Sequence, residues 1–172
     1  MEEDSNMISK VLKGNKEEYG LLVKKYMKKA YFIALGIVKD PDEALDLSQE
    51  AFVKAFKNLK NFDVRKPFFP WFYKILKNLC LNFSNKKRRG QKALTEIFKL
   101  QSHEKEKDSS IKKSLLQAVE ELPFEEKEII MLRYFQGLSY EEISEILECP
   151  IGTVMSRLYY AKKKLKEKMK GF

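Results

Sequence analysis

Apolar residues recur three and four positions apart through most of this 172-residue chain, and alternating apolar and polar runs are nearly absent, so the pattern predicts a protein that is nearly all helix. The periodic segments cover residues 5–13, 16–38, 41–60 and 70–85 and, after a polar interval, 110–121, 124–136, 139–148 and 151–169. Their starts have physical causes. Asp40 is placed to accept from free backbone amides, Pro41 fits a first turn and Glu43 completes a capping box; Ser139 with Glu142 repeats the arrangement. Between the two groups lies SNKKRRGQKALTEIFKLQSHEKEKDSSIKK, residues 84–113, polar and weakly periodic, although ALTEIFKL is capable of a short helix. The predicted fold class is all-α: two small helical domains, residues 1–85 and 110–172, joined by a flexible basic linker at 86–109.

Three of these helices carry faces that a core does not use. In PDEALDLSQEAFVKAFKNL, Ala44, Ser48, Ala51, Phe52, Ala55, Phe56 and Leu59 make the face to be buried. Asp42, Asp46, Gln49, Glu50, Val53 and Lys57 form the opposite stripe, where Val53 is an apolar residue among polar ones. That fits a protein contact, although an ordinary solvated face fits too. In NFDVRKPFFPWFYKILKNLCLNF, seven of 23 residues are aromatic and a helix is predicted to begin near Pro70. Phe72, Ile75, Leu76, Leu79 and Phe83 turn one way; Lys74, Lys77, Asn78 and Asn82 turn the other, and Trp71 falls with the polar set. Aromatic clusters usually mean core, which is the reading for Phe72 and Phe83. Trp71 beside amides and ammonium groups is instead suited to stacking on an unpaired base while its phosphate is held.

On the last helix Ile151, Val154, Leu158, Ala161, Leu165 and Met169 share one narrow face, while Thr153, Ser156, Arg157, Tyr160, Lys163 and Lys164 point away from it. Just upstream, GLSYEEISEILECP gives a short capped helix with Ile143, Ile146 and Leu147 inward, followed by a brief turn. Helices joined so closely cross steeply, the helix-turn-helix geometry that sends the second helix into a major groove. There Arg157 suits a guanine edge, Thr153 and Ser156 suit bases or phosphates, and the lysines suit phosphates. Periodicity alone leaves a solvated or membrane-surface helix open beside DNA binding.

Charge narrows the choice of partner. Lys and Arg number 34 against 25 Asp and Glu, a net of +9, which favours a polyanion. The distribution is uneven: residues 114–148 hold two basic and nine acidic side chains, residues 149–172 seven and one. The last helix is thus a positive stripe beside an acidic support. Other chemistries lack their residues. Cys80 and Cys149 are far apart and outside any metal-ligand spacing, and His103, the only histidine, lies in a charged stretch that reads as solvated. There is no Gly-rich phosphate loop and no serine or cysteine with a histidine nearby, so no metal, no cofactor and no catalysis are expected. No apolar run reaches bilayer length and the N-terminus MEEDSNMISK is acidic, so a cytoplasmic protein without membrane insertion is expected.

Two motifs carry a resemblance. LSYEEISEILECPIGTVMSRLYYAKKKL resembles region 4.2 of the extracytoplasmic-function (ECF) sigma factors, L-S-Y-E-E-I-A-E-I-L, a short turn, G-T-V-K-S-R-L and a basic tail, and LPFEEKEIIMLRYFQGLSY resembles the preceding region 4.1. Met155 stands where that pattern commonly has Lys, and Tyr160 where it has Arg. The N-terminal half is similar to region 2.2, D-L-x-Q-E-x-F, at Asp46, Gln49, Glu50 and Phe52, and to regions 2.3 and 2.4, F-x-x-W-L-Y-R-I-x-x-N, at Phe68, Trp71, Phe72, Tyr73, Lys74, Ile75 and Asn78.

The resemblance implies a sigma region 2 bundle and a region 4 helix-turn-helix without region 3. It implies partners too: core RNA polymerase, through its clamp coiled coil and flap, promoter DNA and, as is frequent in the family, an anti-sigma factor. Asp46, Gln49, Glu50 and Val53 would then meet the polymerase. Phe68, Trp71, Lys74, Lys77, Asn78 and Asn82 would recognise and melt the minus-ten element, with residues 63–69 forming a pocket for an extruded base. Thr153, Ser156, Arg157, Tyr160, Lys163 and Lys164 would bind the minus-thirty-five element. A stand-alone helix-turn-helix regulator is the alternative, and a nucleic-acid enzyme a more distant one.

Overall fold

The computed structural model describes residues 2–95 and 121–169, together with Leu115, Ala118 and Val119. Among the described residues every regular element is helical, and the chain divides into two compact units, Met1–Phe98 and Lys99–Phe172.

The first unit is built from α1 (Glu2–Leu12), α2 (Glu17–Val38), α3 (Pro41–Asn58) with a 3-10 turn at Leu59–Asn61, and α4 (Phe68–Thr95). Helices α2, α3 and α4 pack on one another and α1 lies against α2. Small residues set the spacing: Ala44, Ser48, Ala51 and Ala55, at helical intervals on α3, are fully buried and let the neighbouring helices approach closely. The Ser48 hydroxyl is satisfied within its own helix, donating to the Ala44 carbonyl at 2.6 Å. Aromatic rings fill the remainder, Phe52 of α3 stacking on Phe72 of α4 with centroids 4.3 Å apart. Between α2 and α3 the chain turns without glycine. Lys39 adopts the left-handed conformation, and the Asp40 carboxylate accepts from the amides of Asp42 and Glu43 with Pro41 in the first turn.

Helix α4 runs ten residues past its predicted end at 85, into the stretch expected to be linker. The cause is propensity: half of residues 86–95 are Lys or Arg and none is proline, so the helix continues through Gly90 without an apolar stripe. The rest of that stretch, and most of the segment expected as a helix at 110–121, fall outside the described residues; Leu115, Ala118 and Val119 are helical.

The second unit contains α5 (Phe124–Ile130), continued by a π-helical turn at Met131–Phe135, then α6 (Tyr140–Leu147) and α7 (Ile151–Met169). The π turn, closed by the Gln136 amide on the Met131 carbonyl at 3.1 Å, ends the single helix predicted over 124–136. Arg133 then holds the following loop, donating to the Leu138 carbonyl at 2.7 Å and lying over the Tyr140 ring. Helix α6 opens on a complete capping box: Ser139 Oγ accepts from the Glu142 amide, and the Glu142 carboxylate accepts from the Ser139 amide.

Candidate functional site

Helix α3 presents the predicted stripe to solvent. Asp46, Gln49, Glu50 and Val53 are all exposed, Val53 by 51%, and Glu50 is paired with Lys54 one turn on. The structure adds residues that the periodicity assigned to the core. Phe56 is 37% exposed and, with Tyr19, Val23 and Met27 of α2 and Gln49, Phe52, Val53 and Lys57 of α3, lines an apolar groove of about 440 Å³. Tyr19 forms its floor, donating from its hydroxyl to the Phe52 carbonyl at 2.6 Å and packing against Phe56 at 4.9 Å; burial pushes its phenol well above the ordinary tyrosine range. The signal for Phe56 was present in the sequence, because Gln49, Val53, Phe56 and Lys57 fall on one helical stripe.

On α4 the predicted residues divide. Asn78 and Asn82 are exposed, and Trp71, Lys74 and Lys77 are half-buried along the same side. Phe68 is the exception. It is 1% exposed, packed among Tyr26, Phe62, Trp71 and Phe72, and as a core residue it supports the surface rather than forming it. Trp71 is seated on this platform, 4.9 Å from Phe62 and 5.8 Å from Phe68 between centroids, so its ring is braced from below. Phe72 is fully buried as expected, while Phe83 is half-buried. Cys80 lies in the core, where burial pushes its thiol up to about 12 and leaves it unreactive.

The loop before α4 is tied down from two sides. Ser5 of α1 donates to the Val64 carbonyl at 2.8 Å, and Asp63 accepts from the Arg65 amide and guanidinium. Those donors hold the Asp63 carboxyl down at about 2. A lowered pKa means that the contribution of the pair is fully present above the ordinary carboxylate range and is lost as pH falls toward about 2. In Arg65→Ala, which removes the guanidinium and keeps the residue-65 amide, a carbon-13 titration is expected to move the Asp63 midpoint up toward the ordinary carboxylate range without reaching it; an unmoved midpoint would show that the Arg65 side chain is not the cause.

In the second unit α6 and α7 form a helix-turn-helix. Glu148 in the left-handed conformation ends α6, and Ser144 Oγ donates to the Cys149 carbonyl at 2.6 Å, fixing the three-residue turn before α7. Ile143 and Ile146 of α6 and Val154, Leu158 and Ala161 of α7 are buried, whereas Ile151, predicted to face inward, is 41% exposed. Ser156, Tyr160, Lys163 and Lys164 are exposed and Thr153 is partly so. Two of the predicted DNA contacts are turned to the acidic support. Arg157 lies 3.6 Å from Glu125, and Lys164 pairs with Glu126, as Lys168 does with Glu121. Helical phase places these three cations on the flank facing α5. The outermost face of the first turns belongs to Met155, Ser156, Tyr159 and Tyr160, of which Met155 and Tyr159 were not among the predicted contacts.

Comparison with known proteins agrees across both units. Residues 22–90 match the family Sigma-70 region 2, and residues 112–165 match Sigma-70, region 4. The chain is 33% identical to the RNA polymerase sigma-H factor of Pseudomonas aeruginosa, covering 94% of this chain and 91% of that one. It is 29% identical to the ECF RNA polymerase sigma-E factor of Haemophilus influenzae, covering 96% and 95%. Among solved structures, the sigma factor RpoE of Bartonella quintana, in complex with the anti-sigma factor NepR, matches with a TM-score of 0.67 and 25% identity over 90% of this chain and 98% of that one. Sequence motifs, helical architecture and relatives converge: the chain belongs to the extracytoplasmic-function sigma factors of the sigma-70 family.

Proposed function

We propose that this chain binds core RNA polymerase, brings it to one class of promoter and helps to open the DNA there, with each step assigned to its own surface. The observation that carries the assignment is the pairing, within one helical unit, of an exposed α3 stripe beside an apolar groove with an aromatic platform suited to unpaired bases. Asp46, Gln49, Glu50 and Val53 of α3, extended by Phe56 and the groove beside it, meet the clamp coiled coil. Trp71, Lys74, Lys77, Asn78 and Asn82 engage the minus-ten element, and of the expected pocket stretch 63–69 the tethered loop at residues 63–67 supplies the pocket for an extruded base, Phe68 and Phe69 being helical and buried. Helix α7 enters the major groove at the minus-thirty-five element. Tyr134 and Phe135, each 56% exposed at the end of the π turn, offer the apolar surface for the flap.

In this reading residues 1–85 act as region 2 and 110–172 as region 4, with the basic linker at 86–109 running through the polymerase channel. Polymerase supplies the phosphoryl-transfer chemistry and this chain contributes no catalytic group. It works in the cytoplasm beside polymerase; among the described residues no helix is long and apolar enough to cross a membrane. An anti-sigma factor, such as the partner of the Bartonella relative, is a fitting regulator. A stand-alone regulator would have no use for the α3 groove or the α4 platform. Run-off transcription separates the two: core polymerase with this chain is expected to start transcripts from a subset of genomic fragments that core alone leaves silent. Transcript-free lanes with every fragment would favour the stand-alone regulator.

A further inference from the structure

Base edges are read by the first turns of a recognition helix, and the first two turns of α7 carry one charged side chain, Arg157. Arg157 lies 3.6 Å from Glu125 on the flank facing α5, and the exposed lysines Lys162, Lys163 and Lys166 begin only after Tyr159 and Tyr160. What faces outward is Met155, 53% exposed, Tyr159, 60%, and Tyr160, 58%, with Ser156 between them. The Ser156 hydroxyl is occupied by the Thr153 carbonyl at 3.1 Å. The two tyrosine rings meet edge to face at 5.5 Å, so each limits the rotamers of the other. Gly152, in the same turn, has nothing among the described residues within 4 Å of where a Cβ would stand, so no packing among them requires the absence of a side chain there. An apolar, braced face ahead of a run of lysines fits a major-groove floor presenting methyl groups between phosphate-lined walls. Among the bases only thymine carries such a methyl.

Resting on the minus-thirty-five role proposed for α7, we infer that Met155 and Tyr159 select this protein's upstream element by apolar contact with thymine C5-methyl groups, in place of arginine-to-guanine readout. Tyr159 and Met155 are the specificity-determining residues, Tyr160 braces Tyr159, and the lysines anchor the backbone without reading sequence. The expected element is rich in A·T pairs whose thymines line one stretch of the groove.

The test removes the methyl groups and nothing else. Holoenzyme assembled from core polymerase and the full chain selects promoter duplexes from a pool randomised across the upstream element. The selected duplex is then remade with deoxyuridine for each thymidine of that element in turn. Wild-type holoenzyme is expected to lose about three- to fivefold in affinity per contacted methyl. Tyr159→Ser and Met155→Ser are each expected to bind the thymidine duplex more weakly and to lose the sensitivity at a different subset of positions, the double variant losing it throughout, whereas Arg157→Ala keeps the sensitivity. Equal wild-type affinity for thymidine and deoxyuridine duplexes at every position overturns the inference and leaves the proposed function standing, as does a selected element made of G·C pairs. Failure of the holoenzyme to select any duplex overturns the proposed function itself, and the inference with it.

Discussion

Trp71→Ala is expected to slow open-complex formation on duplex promoter DNA about 5- to 150-fold, the range to which about 1–3 kcal/mol of base–aromatic stacking converts. The loss should be clearly smaller on a template already unpaired across the minus-ten element. Opening a duplex unstacks bases at a cost of a few kcal/mol per step, and the half-exposed Trp71 ring, seated on Phe62 and Phe68, replaces the lost neighbour. A pre-melted template has already met that cost. The variant removes a ring from the rim of the aromatic cluster and leaves Phe68 and Phe72 in place, so circular dichroism of the free protein should keep its helical signal. Equal loss on both templates would remove the wedge role and leave Trp71 a general DNA contact.

Val53→Glu is the second large effect. In the free protein the side chain is 51% exposed at the edge of the groove, so a carboxylate there stays hydrated and melting should be unchanged within about 0.5 kcal/mol. Against polymerase the same carboxylate would be buried opposite an apolar contact without a partner. An uncompensated buried charge costs about 3–5 kcal/mol, so affinity for core should fall on the order of a hundredfold or more. Transcription from every dependent promoter should fall with it, and excess protein should partly restore it. Normal core affinity in a folded variant would move the polymerase contact away from this face of α3.

The helices were legible because their cores are narrow stripes at helical spacing: Ala44, Ala51 and Ala55 of α3 and Val154, Leu158 and Ala161 of α7 are buried as their phase requires. Both capping residues act where they were expected, Ser139 in a full box and Asp40 on two amides, although Glu43 does not complete the box expected at Asp40. What escaped the sequence depends on contacts between helices. Phe56 sits at the border of the two α3 faces, and packing against Tyr19 of α2 leaves its ring 37% exposed at the groove. Phe68 carried the right motif position and the wrong role, since Tyr26 and Phe62 from other elements close over it. Arg157 and Lys164 point away from the α7 core as the wheel predicts, yet Glu125 and Glu126 of α5 wait on that flank, and nothing within α7 discloses them. Exposed pairs of this kind are worth about 0–1 kcal/mol, so phosphates are able to compete for these cations. The far end of α4 was missed for the opposite reason: a helix sustained by propensity has no apolar period to detect.

The account depends most on α3 joining this chain to polymerase. The direct measurement is a calorimetric titration of core RNA polymerase with the full-length chain, wild type and Val53→Glu side by side. One saturable site that the substitution weakens on the order of a hundredfold is the predicted result; no heat of binding from the folded wild-type chain would contradict it.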